Sequence, residues 1–156
     1  MLTPAQTALV KAYVQANYAA DIPVFAWSLI AAKLSSDASP VVKAWNTNVN
    51  QDLMDDAPDN TTFDAISAGK RDSWGFLLAR PRDFNRNKVR QWIVDVWGSA
   101  TANSNSEKIL QAGLVNATAA EVAIGGATKT TGTVSALDRT YIGGVTVQEV
   151  NSMFTP

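Results

Sequence analysis

"RNKVRQWIVDVWG", Arg86 to Gly98, decides the fold class, because it carries the strongest helical periodicity in the chain. Val89, Trp92, Ile93, Val96 and Trp97 recur at intervals that place them on one stripe of an α-helix, and Gly98 stops it. The head of this segment is basic. In "ARPRDFNRNKVRQW", Ala79 to Trp92, five of fourteen residues are Arg or Lys and one is acidic. Just upstream, Arg80-Pro81 ends a preceding helix, since the residue before proline is pushed out of the helical region. That helix runs through "FDAISAGKRDSWGFLLA" with Thr61 or Thr62 as cap, and Phe63, Ile66, Trp74, Leu77 and Leu78 recur at roughly helical spacing.

Farther upstream, "LTPAQTALVKAYVQAN" opens the first helix. Thr3 caps, Pro4 suits the first helical position, and Gln6 stands where the reciprocal partner of a capping box belongs. Leu9, Val10, Tyr13 and Val14 form its apolar face. Asp21 to Leu34 is apolar on nearly all sides, which predicts a helix wrapped by other elements. "SSDASPVVKAWNTNVN", Ser35 to Asn50, reads as an irregular or extended connection.

Downstream of Gly98, the polar loop "SATANSNS" leads to a second capping-box pattern, Ser104 and Glu107, at the head of a helix through Ile109, Leu110, Leu114 and Ile124, closed by Gly125-Gly126. The tail changes character: "TKTTGTV" and "DRTYIGG" are Thr- and β-branched-rich runs on either side of "SAL", as in a small hairpin. Thr146 and Glu149 repeat the capping-box spacing and begin a short last helix. The expected fold is mainly α, a bundle of about five helices with a small C-terminal β-hairpin and a short terminal helix. Residues 1–127 are expected to form the bundle, and 128–156 a β-ribbon and short-helix arm, either within the same domain or as an interaction arm.

With 156 residues, 46% of them apolar and 17% charged, the chain can bury a real core. It contains no Cys and no His, so the thiolate ligand, the commonest metal ligand and the commonest general base are all missing. The acidic run "QDLMDDAPDNTTFD" holds Asp52, Asp55, Asp56, Asp59 and Asp64, but it does not fit the EF-hand pattern and reads as a solvated loop with helix-head acids. "GGATKTTG" lacks the order of a phosphate-binding loop, and the serines have no histidine partner. No catalytic residue, metal or cofactor is expected, and the chain is read as not an enzyme. "IPVFAWSLIAAKL" is too short to span a bilayer and "MLTPAQ" lacks a positively charged start, so a cytosolic chain is expected, in which the N-x-T sequons at Asn60 and Asn116 carry no meaning. Of the five tryptophans, Trp92 and Trp97 belong to the core or a subunit interface, while Trp45, in a connection, caps the core or anchors a partner.

Charge is separated along the chain. Seven of the 13 Lys and Arg lie between Lys70 and Arg90, and five acids with no base lie between Asp52 and Asp64. Such separation allows the acidic loop of one subunit to face the basic segment of the next in a head-to-tail ring. A nucleic-acid grip competes, against a sequence pI near 5.3 and no recognisable nucleic-acid-binding motif. The solvated face of two helices is the plainest alternative.

Four stretches, "MLTPAQTALVKAYVQAN", "DASPVVKAWNTNVN", "KILQAGLVNATAAEVAIGG" and above all "RTYIGGVTVQEVNSM", resemble a family of small structural proteins of tailed bacteriophages. The likeness runs across nearly the whole chain. Ala44 before Trp45 and Glu149 before Val150 depart from the family's usual Val and Asp. The resemblance implies a virion protein assembled in the host bacterial cytoplasm, most specifically a head–tail connector, or adaptor, that forms a ring beneath the portal. A capsid-decorating cement protein is the alternative, and a small hydrolase a remote one. The implied partners are further copies of the chain, the portal protein, and tail or other connector proteins, with DNA in a channel at most a non-specific partner and no membrane. The expected contact residues are Asp52, Asp55, Asp56, Arg82, Arg86 and Arg90, with Tyr141, Ile142, Val147, Val150 and Phe154 of the tail.

Overall fold

A computed structural model of the chain describes residues 1–141 and 143–155. It is about 53% helical, so the mainly-α expectation holds, but it is not a five-helix bundle. Helices α1 (Pro4–Asn17), α2 (Trp27–Ser35), α3 (Gln51–Asp56), α4 (Ala68–Leu78), α5 (Asn87–Trp97), α6 (Asn105–Ala112), α7 (Ala119–Ile124) and α8 (Val147–Phe154) accompany strands β1 (Lys43–Trp45), β2 (Leu114–Asn116), β3 (Thr128–Thr131) and β4 (Val134–Leu137). The strands form one mixed sheet in the order β2-β1-β4-β3.

Contacts divide the chain into two compact units. The first comprises Met1–Val42, Asn116–Ala127 and Arg139–Pro156, and the second Lys43–Val115 and Thr128–Asp138. This division does not follow a cut at residue 127/128: the hairpin packs with one unit, and the chain from Arg139 onward with the other.

In the first unit, α1 forms as its sequence requires. The Gln6 N–H donates to Thr3 Oγ1 at 3.3 Å and the Thr3 N–H to Gln6 Oε1 at 2.9 Å, satisfying donors that a helix start leaves open. Val10 and Val14 are buried, whereas Leu9 is exposed. The Asp21–Leu34 segment is not one enclosed helix. Pro23 supplies no N–H, Phe25 adopts a left-handed φ of 54°, and α2 begins only at Trp27, leaving Val24 and Phe25 exposed. Ile30 and Leu34 of α2 meet Val10, Val14, Ile124, Val145, Val150 and Met153 in a single apolar cluster. The α8 capping box of Thr146 and Glu149 is present as expected.

One continuous helix from Ser104 to Ile124 does not form. After α6 the chain passes through β2, and α7 starts on its own capping box, Thr118 with Glu121. Gly113 marks the break, because a Cβ there would lie 2.0 Å from Phe84 Cδ2; the chain needs a residue without a side chain where it crosses that ring.

In the second unit, α5 buries Ile93 and Val96 and stops at Gly98, as expected. Its neighbour α4 starts later than expected, at Ala68. Asp59, rather than Thr61 or Thr62, caps a short 3-10 turn over Asn60–Ala65, accepting from the Thr61 N–H at 3.0 Å. The segment read as an irregular or extended connection is extended at β1, which runs parallel to β4 with Ala44 opposite Leu137. Trp45 is fully buried in the core with Trp74, Leu77, Phe84, Ile93 and Leu110, and its indole N–H donates to the Lys129 carbonyl at 3.2 Å. The hairpin exists but turns at Gly132-Thr133, so that "SAL" lies within β4 rather than at the turn. Gly132 has a φ of 60° while Thr133 does not enter the left-handed region, the pattern of a type II′ turn with glycine first.

Candidate functional site

The basic stretch lies wholly in the second unit, and its charges have different fates. Pro81 ends α4, and the chain then pairs back: the Arg82 N–H donates to the Val49 carbonyl at 2.9 Å and the Val49 N–H to the Arg82 carbonyl at 2.8 Å. This turns the Arg82 side chain onto the end of α4, where Nε donates to the Leu77 carbonyl at 2.7 Å and Nη2 to the Phe76 carbonyl. These are last-turn carbonyls that have no partner within their own helix, so a cation capping them is doubly favoured. The guanidinium carbon also sits 5.4 Å from the Phe76 ring and 5.7 Å from the Trp92 ring. Burial, with the nearby Arg80 charge, lowers the Arg82 pKa.

Arg90 is buried more completely, at 1% exposure. Its Nε donates to Thr131 Oγ1 at 3.0 Å and Nη1 to the Phe84 carbonyl, and the guanidinium lies 4.6 Å from the centre of the Trp45 ring. Burial lowers its pKa, with Asp138 and Asp83 acting in the opposite sense.

Two of the three arginines expected at a subunit contact are therefore internal braces. Arg86 alone of the three is exposed, and its Nε donates to Asp83 at 3.0 Å. The acids fare differently: Asp52, Asp55 and Asp56 are all exposed on α3. Asp55 also borders a groove of about 380 Å³ between α3 and α4 with Asp64, Arg71 and Trp74. Asp64 and Arg71 approach to 3.7 Å. Asp59 is held ionised by the Thr61 hydroxyl and N–H, which lower its pKa.

The outward surface of this unit thus carries the α3 acids, the exposed bases Arg80, Arg86 and Lys88, and one aromatic that the periodicity leaves out. Phe76 is 59% exposed, with its ring 5.5 Å from Trp92. The signal for Phe76 was its place off the Trp74–Leu77–Leu78 stripe: a large apolar residue on the far side of a helix. Trp74 and Trp97 meet edge to face at 5.4 Å inside the unit.

The tail residues named as contacts belong to the first unit, except that Ile142 lies outside the described residues. Val150 is fully buried and Val147 is exposed. Phe154 stacks on Trp27 at 5.6 Å, with the Lys11 ammonium 5.4 Å from its ring. The Tyr141 hydroxyl donates to the Gly144 carbonyl at 3.0 Å, and burial with the nearby Glu149 and Glu121 raises its pKa. Glu149 accepts from the Thr146 N–H and from the Leu2 N–H, both at 2.9 Å, and these bonds lower its pKa, the Thr146 bond most. Glu121 is buried and meets Arg139 in an ion pair. Among the described residues most of the tail's apolar side chains are thus engaged in their own core, and Val147 is exposed.

Among the described residues no group of three or more acidic side chains is placed to hold a metal ion, and no helix is long and apolar enough to cross a membrane. No protein-family model, no curated protein and no solved structure matches the chain.

Proposed function

We propose that the chain is a non-catalytic structural subunit of a tailed-phage virion, a head–tail connector that assembles as a ring beneath the portal. The resemblance in the helix starts, the Trp45 segment and the tail supports the family. The observation that carries the contact mode is the exposed surface of the second unit, where Asp52, Asp55 and Asp56 stand exposed on α3 and Arg80, Arg86, Lys88 and Phe76 are exposed as well.

A subunit carrying both signs on separate patches is complementary to a copy of itself in a head-to-tail contact. Exposed ion pairs contribute only about 0.2–1 kcal/mol each, so charge sets register while Phe76 and Leu53, both exposed, supply apolar area. The partners are copies of the chain, the portal protein and tail or other connector proteins, with DNA in a channel a sequence-blind neighbour at most.

Quantitative mass spectrometry of purified virions tests this. A copy number tracking the portal protein is expected. A copy number tracking the major capsid protein would make the chain a cement protein instead, and absence from washed virions would remove the reading altogether.

A further inference from the structure

Two residues of the second unit are poor choices for the helices that carry them. Gly75 sits in the interior of α4, where a glycine weakens a helix relative to alanine. Packing does not demand it, since a Cβ there would meet nothing within 4 Å. Lys88 stands in the first turn of α5, which has no acidic residue and no side-chain cap, and a cation at that end opposes the helix dipole. It is exposed, and among the described residues it has no ion pair.

Gly75 borders a cleft of about 210 Å³, together with Leu78 and Ala79 at the end of α4 and Gln51, Asp52 and Asp55 of α3. Two carboxylates and no base line it, and among the described residues neither Asp52 nor Asp55 has an ion pair. The bases nearby act elsewhere. Arg71, in the adjoining groove, approaches Asp64 at 3.7 Å, and the charge of Arg80, which follows Ala79, is felt at Arg82.

We propose that this cleft receives the Lys88 side chain of a second copy of the chain. The bare backbone at Gly75 leaves room for the aliphatic stem of a lysine against Leu78 and Ala79, while its ammonium reaches Asp52 and Asp55. Arg86, the neighbouring exposed base, is already engaged by Asp83 at 3.0 Å, which leaves Lys88 as the cation without a partner at the head of α5. One contact then accounts for both misfits: the glycine empties the cleft and the lysine fills it. Each copy carries both halves on different helices, so the contact repeats head to tail. This inference rests on the head-to-tail contact proposed above and gives it one donor and one acceptor.

The test uses the whole chain in two variants, each of which suits its own helix better than the parent residue does. Gly75→Gln fills the cleft with a good helix former, and Lys88→Glu puts an acid at a helix head, so both should keep or raise the melting temperature. Sedimentation should show the parent associating below about 1 mM, and either variant alone should weaken that association at least about tenfold. An equimolar mixture of the two variants should form dimers and stop there, because one intact contact remains. Carbodiimide coupling in a mixture of isotope-labelled and unlabelled parent should join Lys88 to Asp52 or Asp55 between copies. Association left intact in both variants would overturn this inference and leave the head-to-tail reading to another surface, whereas a parent that stays monomeric at about 1 mM would overturn both. Coupling of Lys88 only within one copy, or a mixture that associates no better than its components, would also overturn it. So would a lowered melting temperature in both variants, because Gly75 and Lys88 would then serve their own helices.

Discussion

The Arg90 guanidinium lies 4.6 Å from the centre of the Trp45 ring, in the middle of the second unit's core. A residue from the basic stretch and the tryptophan of a three-residue strand thus brace each other, and both reach the hairpin, Arg90 through Thr131 and Trp45 through the Lys129 carbonyl.

Replacing Arg90 should therefore damage folding before it touches any assembly. Arg90→Ala leaves the Phe84 carbonyl and the Thr131 hydroxyl without their donors and opens a cavity against Trp45, a loss of about 3–5 kcal/mol from the combined terms. Arg90→Lys should not restore it, because one ammonium cannot reproduce a planar fork that donates in several directions while lying over a ring. Urea denaturation checks both, and a stability within about 0.5 kcal/mol of the parent for Arg90→Ala would contradict the bracing role.

Surface variants should do the opposite. Phe76→Ala, and Arg86→Glu combined with Lys88→Glu, are expected to change the melting temperature little and to weaken ring assembly, measured by sedimentation. The charge-reversal defect should shrink as salt rises, since exposed charges are screened over about 8–10 Å at ordinary ionic strength. An assembly equilibrium unaltered by either variant would remove this surface from the contact.

Deleting the chain from Thr128 onward should abolish the cooperative thermal transition. The deletion takes Val134 and Ala136 from one core and Val145, Val150 and Met153 from the other. Buried Val and Met side chains are worth roughly 1.5–3 kcal/mol each, which together consume most of a typical stability of about 5–15 kcal/mol. A truncated protein that still unfolds cooperatively would return the tail to the status of a detachable arm.

Acidification should loosen α8. The Glu149 pKa is lowered in the folded chain by the Thr146 N–H first of all, with Leu2 and the Thr146 hydroxyl adding to it. A depressed carboxyl contributes stability that is present above its unfolded value and lost as pH falls through its folded value, so the loss falls on the acid side of the ordinary Glu range near 4.3. Glu149→Gln should flatten that part of the stability-versus-pH curve. An identical acid limb in parent and variant would show that the cap carries no pH dependence.

The capped helix starts were legible because a capping box is local. Thr3 with Gln6, and Thr146 with Glu149, need only three residues and a following apolar face. Thr118 with Glu121 was as legible, but reading the apolar residues from Ile109 to Ile124 as one stripe hid it, and the reason for the break, the Phe84 ring against Gly113, lies far away in sequence. The same distance hid the partner of the extended segment at β1, which pairs in parallel with β4 across more than ninety residues. Counting charges from Lys70 to Arg90 correctly found a basic segment but not the direction of its side chains. Arg90 lies three residues before Ile93, on the buried side of α5, which is the feature that marks an arginine turned inward.

The most direct measurement of the central claim is electron microscopy of purified virions labelled with an antibody against this chain. Label at a single vertex, where head meets tail, is the result that the connector reading predicts. Label spread over the whole shell, or none on intact and tail-stripped heads alike, would contradict it.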